Sequence, residues 1–155
     1  MKTLILLSAI PASGKSTWAS EYQKSHPNTY IVSSDAIRLE LTHGDYHDRS
    51  KQAQVWEVFE QRIHEYGSID NCTVILDALN DLNEIRYKYL STTPEFDRKI
   101  IVLFPNTYER SKKYNDTRPG VAKVPEQALI ELYNKFEPLS QEVIDLADEI
   151  REVTW

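Results

Sequence analysis

Short apolar runs alternate with stretches of helical spacing along almost the whole chain. Five segments have the length of β-strands. The first begins at Leu4, and the others occupy residues 29–33, 72–76, 99–104 and 150–153. Between them, apolar side chains recur every three or four residues, for example at Val55, Phe59 and Ile63. The pattern therefore predicts strands and helices in regular alternation.

This alternation favours one three-layer α/β domain over residues 1–155. The runs at 72–76 (CTVIL) and 99–104 (KIIVLF) are almost entirely apolar, which is typical of strands covered by helices on both faces. Parallel strands need long crossover connections, and the intervening helices supply them. The sequence predicts a five-stranded, mostly parallel sheet between two layers of helices.

The first strand leads into a candidate phosphate-binding loop. Residues 4–17 read LILLSAIPASGKST, which gives a strand, a loop and the start of a helix. The expected pattern is G-x-x-x-x-G-K-[ST], and it is matched at Gly14, Lys15 and Ser16 but not at Ala9, where the first glycine would stand. Because Ala9 ends the strand, a methyl group is expected to be tolerated there. Gly14 lies where the backbone must approach a phosphate.

Such a loop binds a nucleotide through backbone N–H groups and the positive end of the following helix. Its candidate ATP contacts are Ala12, Ser13, Gly14, Lys15, Ser16 and Thr17. Lys15 is expected to reach the β- and γ-phosphates, and the Ser16 hydroxyl is expected to hold Mg²⁺. ATP and Mg²⁺ are therefore the predicted cofactors.

Two acidic residues follow other predicted strands. Asp35 follows the second strand and lies three residues before Arg38 in a predicted short helix, so the two side chains share a helix face. Asp77 ends the third strand. Because ligands bind at the carboxyl edge of an open parallel sheet, these residues are expected near the phosphate loop.

Charge changes the picture in one segment. The chain of 155 residues has a formal net charge of −6, which argues against a broad surface for long nucleic acid but not against binding the end of a strand. Residues 110–123 nevertheless hold five basic residues and one acidic residue. Arg118-Pro119-Gly120 breaks the preceding helix, so residues 110–124 are predicted to form a mobile lid that carries Arg118. For Arg118 we favour a role in neutralising phosphate charge.

The composition also limits the cellular setting. Cys72 is the single cysteine, which excludes an internal disulfide, and its apolar neighbours favour a buried thiol. The apolar N-terminal run is broken by Pro11, and no later run approaches the ~18 residues of a membrane span. A cytoplasmic protein with no membrane or disulfide partner is expected.

The motifs and residues outside the phosphate loop favour a kinase over other nucleotide-binding proteins. The guanine-reading N-K-x-D motif is absent, and so is an Asp-Glu pair after the third strand. Asp35 can accept the proton of an attacking hydroxyl, and Arg38 can hold a phosphate of the acceptor. Lys15, Asp35 and Arg118 are the candidate catalytic residues.

The chain resembles the polynucleotide 5′-hydroxyl kinases of the bacteriophage type. The resemblance rests on P-x-S-G-K-S-T-W at 11–18, the Asp35-x-x-Arg38 pair, Asp77, and Arg118 ahead of a Val-Pro step at 124–125. It implies transfer of the ATP γ-phosphate to a 5′-hydroxyl end of DNA or RNA. Asp35 would be the base, Arg38 would bind the phosphate next to the acceptor sugar, and Arg118 would bind the ATP phosphates. Arg38 and Asp77 would be the substrate-binding residues, and Asp77 would orient Arg38 through a carboxylate-guanidinium pair.

The sequence departs from that family at three positions. Ala9 and Ala12 replace glycines that are usual in the loop, and Tyr114 stands where the family often has a second lid arginine. Phosphate affinity is expected to be lower for this reason.

Two other functions stay open at this stage. A kinase for a small hydroxyl acceptor, such as a sugar, a nucleoside or a sugar nucleotide, would use the same Lys15, Asp35 and Arg118. A non-catalytic ATP-binding module would instead use the nucleotide to order residues 110–123 for a partner.

Overall fold

Four largely apolar segments and one charged segment form the sheet at the centre of the molecule. The computed structural model describes residues 1–45, 47–120 and 122–154. The strands are β1 (Thr3–Ser8), β2 (Thr29–Ser33), β3 (Thr73–Asp77), β4 (Arg98–Leu103) and β5 (Glu149–Glu152). β1 to β4 are rich in apolar residues that pack well on a pleated surface, whereas the edge strand β5 reads EIRE and is largely exposed. Each predicted strand is therefore present, with ends shifted by about one residue.

The strand order explains why β1 is the most buried strand. The order is β2-β3-β1-β4-β5, and the four pairings in the described chain are all parallel. β1 lies in the middle and pairs with β3 and β4, with Leu6 opposite Leu76 and Ile101. On the far side of β3, Asp77 lies opposite Ser33. The predicted parallel α/β fold is confirmed.

Helices cover both faces of the sheet. They are α1 (Lys15–Ser25), α2 (Ser34–Leu41), α3 (Gln52–Gly67), α4 (Asn83–Ser91), α5 (Tyr108–Asp116), α6 (Glu126–Lys135) and α7 (Gln141–Leu146). One face packs against α2, α3, α4 and α7 around Phe59, Ile63 and Leu90. The other packs against α1 through Ala19 and the partly buried Trp18 and Tyr22. The sheet is thus the middle of three layers.

The sequence predicts Ser34 or Asp35 as the cap of α2 and Asn80 or Asp81 as the cap of α4, and the structure corrects both. The cap of α2 is Ser33, whose hydroxyl accepts the Ala36 N–H at 3.1 Å, and not Ser34 or Asp35. The residue before α4 is Leu82, without a side-chain cap, because Asn80 adopts a positive φ of 44° in the preceding turn. The short helix α7 was not predicted.

Other expectations concern single residues or segments. Cys72 is confirmed as a buried free thiol, and burial raises the pKa of this group. The segment predicted as a lid contains the end of α5 and the turn that follows it, and its residue 121 lies outside the described residues. Lid mobility stays a prediction. None of the described helices combines the length and the apolar character that crossing a membrane requires.

Gly67, the last residue of α3, should not tolerate a side chain. A Cβ there would lie 2.9 Å from Cζ of the buried Phe96 and 3.2 Å from Glu95 Cγ. We expect Gly67→Ala to lower the free energy of unfolding by about 1–3 kcal/mol, because a core ring must shift. Urea unfolding measures the change.

Gly120→Ala is the matched control, since a Cβ at Gly120 meets nothing within 4 Å. Its free energy of unfolding should stay within about 0.5 kcal/mol of the unaltered protein. Equal effects of the two substitutions would contradict the packing at Gly67.

Candidate active site

The loop between β1 and α1 has the backbone form of an anion-binding site. Gly14 has a φ of 90° and precedes the first residue of α1, Lys15. No side chain caps this helix start, and its first turn holds no acidic residue. No capping side chain accepts hydrogen bonds from the N–H groups of the first turn. These N–H groups and the positive end of the helix therefore face the loop.

The two alanines that replace expected glycines differ in their consequences. Ala9 is buried, and its N–H donates to the Leu79 carbonyl oxygen at 2.9 Å. Among the described residues, Ala9 is not one of those with a positive φ. This agrees with the expectation that a methyl group is tolerated there. Ala12 has a φ of 59°, a left-handed conformation that costs an alanine roughly 1 kcal/mol relative to glycine. The strained substitution is thus Ala12, inside the loop.

Asp77 joins the loop helix to the sheet. Its Oδ1 lies 3.2 Å from Lys15 Nζ, and its Oδ2 accepts the Ser16 hydroxyl at 2.9 Å. The side chains of Lys15 and Asp77 are 13% and 5% exposed. Asp77 is the last residue of β3, so the sheet fixes its carboxylate beside the start of α1.

The predicted pairing of Asp77 with Arg38 is wrong. Arg38 Nη1 donates to Asp35 Oδ1 at 2.7 Å, and Nη2 donates to Gln52 Oε1 at 3.3 Å. The three-residue spacing on α2 brings Arg38 back to Asp35, while Lys15 and Ser16 occupy the carboxylate of Asp77. The expectation that Asp35 and Arg38 share a helix face is confirmed.

The Asp35–Arg38 pair combines a buried cation with an accessible carboxylate. The side chain of Arg38 is 5% exposed and that of Asp35 is 53% exposed. Burial, and then the charge of Arg49, lower the pKa of Arg38, whereas Asp35 opposes the shift. An arginine keeps its proton under these conditions because its ordinary pKa is very high. The site therefore holds a fixed positive charge behind a carboxylate that faces solvent.

Three of the buried polar side-chain atoms without hydrogen-bond partners lie at this edge of the sheet. They are Ser13 Oγ in the loop, Asp77 Oδ1, which lies near Lys15 but outside hydrogen-bond geometry, and Arg38 Nε. Most buried polar groups in proteins are satisfied, so unpaired ones often mark the place of a ligand or water. Thr17, also predicted as a contact, is exposed in the first turn of α1.

A second layer of polar residues, missed in the sequence, lies under the loop. Arg86 on α4 is fully buried and donates to the Ser8 hydroxyl, to the Asn80 carbonyl oxygen and to Asn83 Oδ1. One feature of the sequence could have identified Arg86: it lies on the same face of the predicted helix as the apolar Leu82 and Tyr89. An arginine on an apolar stripe needs buried oxygen atoms as partners.

Arg118 lies on the turn after α5, apart from the phosphate loop. Its Nη1 donates to the Ala122 carbonyl oxygen at 3.4 Å, and its guanidinium lies 5.4 Å from the centre of the Tyr114 ring. Within the described residues, none of its hydrogen bonds or ring contacts reaches the loop. The turn is held by Asn115, which is 2% exposed and exchanges two hydrogen bonds with the backbone of Val124, at 2.7 and 2.9 Å.

A cleft of about 690 Å³ opens at the carboxyl ends of β4 and β5. Its walls include the rings of Phe104 and Phe136, and polar groups are available at Asn106 and Thr154. Phe104 also contacts the ring of Trp18 on α1, with the ring centres 6.5 Å apart. The cleft and the loop therefore lie on the same edge of the sheet.

Comparison of the chain with known protein families finds a match. The family described as chromatin associated protein KTI12 matches residues 2–144. This chain belongs to the KTI12 family. The matched range contains the loop, the Asp35–Arg38 pair, Asp77 and Arg118.

Curated relatives of this KTI12-family chain include heterogeneous nuclear ribonucleoprotein U-like protein 2 of mouse and of human. Each is 27% identical over 158 residues, which cover 95% of the chain. The chain spans about a fifth of the length of these relatives, 21%.

Solved structures similar to this KTI12-family chain include Chaetomium thermophilum Kti12 in complex with ADP-AlF3. The TM-score is 0.69 at 16% identity, over 98% of this chain and 89% of the other. A gluconokinase from Sinorhizobium meliloti gives 0.64 at 15% identity, over 97% and 81%. A fungal RNA kinase gives 0.62 at 14% identity, over 99% and 74%. These likenesses establish a P-loop kinase-like fold. The bacteriophage-type resemblance is thus supported only at that coarser level.

Removal of the Asn115 side chain should loosen the turn that carries Arg118. Asn115→Ala leaves the N–H and carbonyl of Val124 without their partners, so we expect a loss of about 1–3 kcal/mol in the free energy of unfolding. We also expect faster hydrogen exchange at the Val124 amide. Thr117→Ala, in the same turn, is the control because the Thr117 hydroxyl bonds only locally, to the Tyr114 carbonyl oxygen. Unchanged exchange at Val124 in Asn115→Ala would contradict this anchoring.

Proposed function

We propose that this protein is an ATP-dependent kinase that transfers the γ-phosphate to a 5′-hydroxyl end of DNA or RNA. One observation carries the proposal. The cluster of Lys15, Ser16 and Asp77 lies at the end of β3, and the Asp35–Arg38 pair begins just past the end of β2, opposite Asp77 through Ser33. A nucleotide-binding cluster and a candidate base therefore belong to neighbouring strand ends.

The phosphates of ATP fit the loop from Ala12 to Thr17. The left-handed Gly14, the uncapped start of α1 and Lys15 together supply N–H donors and positive charge. The unpaired Ser13 hydroxyl is available as a further donor. The similar fold of Kti12, solved in complex with ADP-AlF3, supports the binding of a nucleotide.

The cleft at the ends of β4 and β5 fits the adenine base. It is lined by Phe104 and Phe136, and Asn106 and Thr154 bring polar groups that can meet the edge of a base. A base bound there leaves the phosphates directed toward the loop, because Phe104 N–H bonds to the carbonyl of Ser8, where the loop begins.

The oxygen atoms of Ser16 and Asp77 fit Mg²⁺ bound together with ATP. Asp77 Oδ1 is buried and makes no hydrogen bond, and carboxylate and hydroxyl oxygens are ligands that this ion accepts. The described residues contain no cluster of three acidic, His or Cys side chains that could hold a metal ion. Mg²⁺ bound to a nucleotide does not require such a cluster, because it needs only one or two protein ligands. Bound there, the ion would neutralise charge on the β- and γ-phosphates.

The reaction then follows from what the side chains can do. The acceptor oxygen attacks the γ-phosphorus, the bond from that phosphorus to the oxygen of ADP breaks, and the acceptor proton passes to Asp35. Asp35 is suited to this step because its carboxylate is half exposed while Arg38 holds it in place. Lys15 stabilises charge on the transferred group. Arg118 would join them only after its turn moves toward the loop.

Arg38 favours an acceptor that carries its own phosphate. It is buried and positive, with Nε unpaired and Arg49 nearby. A guanidinium in this state is suited to an anion rather than to a neutral sugar. The fungal RNA kinase shares the fold, and so do a gluconokinase and a shikimate kinase, which keeps a small hydroxyl acceptor as the alternative.

A nucleotide-dependent binding protein is the second candidate. Membership of the KTI12 family, described as chromatin associated, and the likeness to a ribonucleoprotein favour it.

The test that separates the two functions is transfer of labelled γ-phosphate to 5′-hydroxyl oligonucleotides, a 3′-nucleotide, nucleosides and simple sugars. Labelling of the oligonucleotides and the 3′-nucleotide supports the kinase. ATP binding without any labelling would contradict it and favour the binding protein.

Asp35→Asn should separate binding from chemistry. We expect ATP affinity to change by less than about twofold and the transfer rate to fall by about 10²–10⁴-fold, because the amide cannot take the proton. Calorimetry and the transfer assay measure the two effects. Glu40→Gln on the same helix is the control, since Glu40 pairs with Arg62 and not with the site. A near-normal rate in Asp35→Asn would exclude Asp35 as the base.

Asp77→Asn should weaken ATP binding only when Mg²⁺ is present. The variant loses the charge that would hold Mg²⁺ but also frees Lys15 from its ion pair. We expect a loss of about tenfold or more with Mg²⁺, and unchanged or tighter binding in EDTA. Ser16→Ala should show the same magnesium-dependent loss. Equal losses with and without Mg²⁺ would argue that Asp77 only supports the loop.

A further inference from the structure

Arg86 is a buried cation that the proposed reaction does not use. Its side chain is fully buried, and no carboxylate lies within ion-pair distance of it in the described part of the chain. Burial lowers its pKa, and the more distant charges of Asp81 and Glu137 only partly oppose the shift. Burying an unpaired charge costs several kcal/mol, so a purely structural arginine would be expected to have a carboxylate partner.

The contacts of Arg86 are all with uncharged groups. Nε donates to the Asn80 carbonyl oxygen at 2.7 Å and to the Ser8 hydroxyl at 3.2 Å. Nη2 donates to the same hydroxyl at 3.0 Å, and Nη1 donates to Asn83 Oδ1 at 2.8 Å. The guanidinium also lies 5.1 Å from the centre of the Phe136 ring. Its positive charge is thus shared among neutral dipoles and an aromatic face.

These partners lie where the candidate nucleotide site begins. Ser8 is the last residue of β1, and its hydroxyl donates to the Asn80 carbonyl oxygen at 2.7 Å. The Asn80 amide donates in turn to the Leu7 carbonyl oxygen at 2.6 Å. Phe136 lines the cleft at the ends of β4 and β5. Arg86 therefore connects the start of the phosphate loop, the turn after β3 and one wall of the cleft.

We propose that Arg86 is a positioning residue of the nucleotide site, which fixes the start of the phosphate loop and supplies buried positive charge to the nucleotide phosphates. The inference rests on the proposed ATP binding. A cation in a low-dielectric interior acts over longer distances than one on the surface, and it needs no reorganisation when the phosphates arrive. The charge would act on each phosphate, so its effect should grow with the number of phosphates.

The experiment compares the affinities of ATP and AMP, measured by calorimetry in Arg86→Met and Arg86→Lys. Methionine removes the charge at similar length, and lysine keeps it. We expect Arg86→Met to weaken ATP by about tenfold or more and AMP by less than about threefold. Arg86→Lys should recover most of the ATP affinity. Arg62→Met is the matched control, because it removes an arginine that pairs with Glu40.

Asn83→Asp tests the same idea if Arg86→Met fails to fold. The new carboxylate would lie against Nη1 and neutralise the guanidinium, at a helix start where an acidic residue is favourable. We expect ATP binding to weaken more than AMP binding. The melting temperature should fall somewhat, because the carboxylate cannot donate to the Pro138 carbonyl oxygen as the Asn83 amide does, but this loss should affect both affinities equally.

Each outcome decides between charge and simple support. Equal losses for ATP and AMP, no rescue by lysine, or full ATP affinity in Asn83→Asp would overturn the inference and leave Arg86 as a structural support. If the unaltered protein binds no ATP, the proposed function itself fails, and the inference fails with it. Binding by the unaltered protein together with equal binding by Arg86→Met overturns the inference alone.

Discussion

The ion pair between Lys15 and Asp77 is the interaction on which the site depends. The loop collects positive potential from the start of α1, from Gly14 in its left-handed conformation and from Lys15 itself. One buried carboxylate balances this potential and holds Lys15 in place. Because Asp77 also accepts the Ser16 hydroxyl, a single side chain from β3 fixes the first two residues of α1.

The sheet determines what lies beside that pair. The parallel order β2-β3-β1-β4-β5 brings every strand end to the same edge. On one side of the loop this places Asp35 and Arg38, and on the other the aromatic cleft of Phe104 and Phe136. A long ligand can therefore bind across the edge, with its middle over the loop. The proposed kinase requires an ATP site and an acceptor site in this order.

Local patterns in the sequence were sufficient for the strands, the loop and the Asp35–Arg38 pair. Apolar runs of strand length and a three-residue helical spacing depend only on neighbouring residues. The partner of Asp77 could not be found in this way, because Lys15 and Arg38 are both plausible cations and only the register of β2, β3 and β1 decides between them. Arg86 contacts the Ser8 hydroxyl, which is distant in the chain, and Asn115 contacts the backbone of Val124 across a turn, so neither partner follows from a helical or strand spacing. The helix α7 has six residues, too few for a periodic signal.

The central position of β1 also bears on how the protein is made. β1 precedes its partners along the chain, because β3 and β4 begin only at Thr73 and Arg98. Its apolar residues 4–7 thus wait for about a hundred residues of synthesis before both edges are paired. Parallel pairings over such separations form slowly, and the unpaired strand is prone to association with other chains. A nascent chain of this topology therefore leaves the apolar β1 without its second neighbour until β4 has been synthesised.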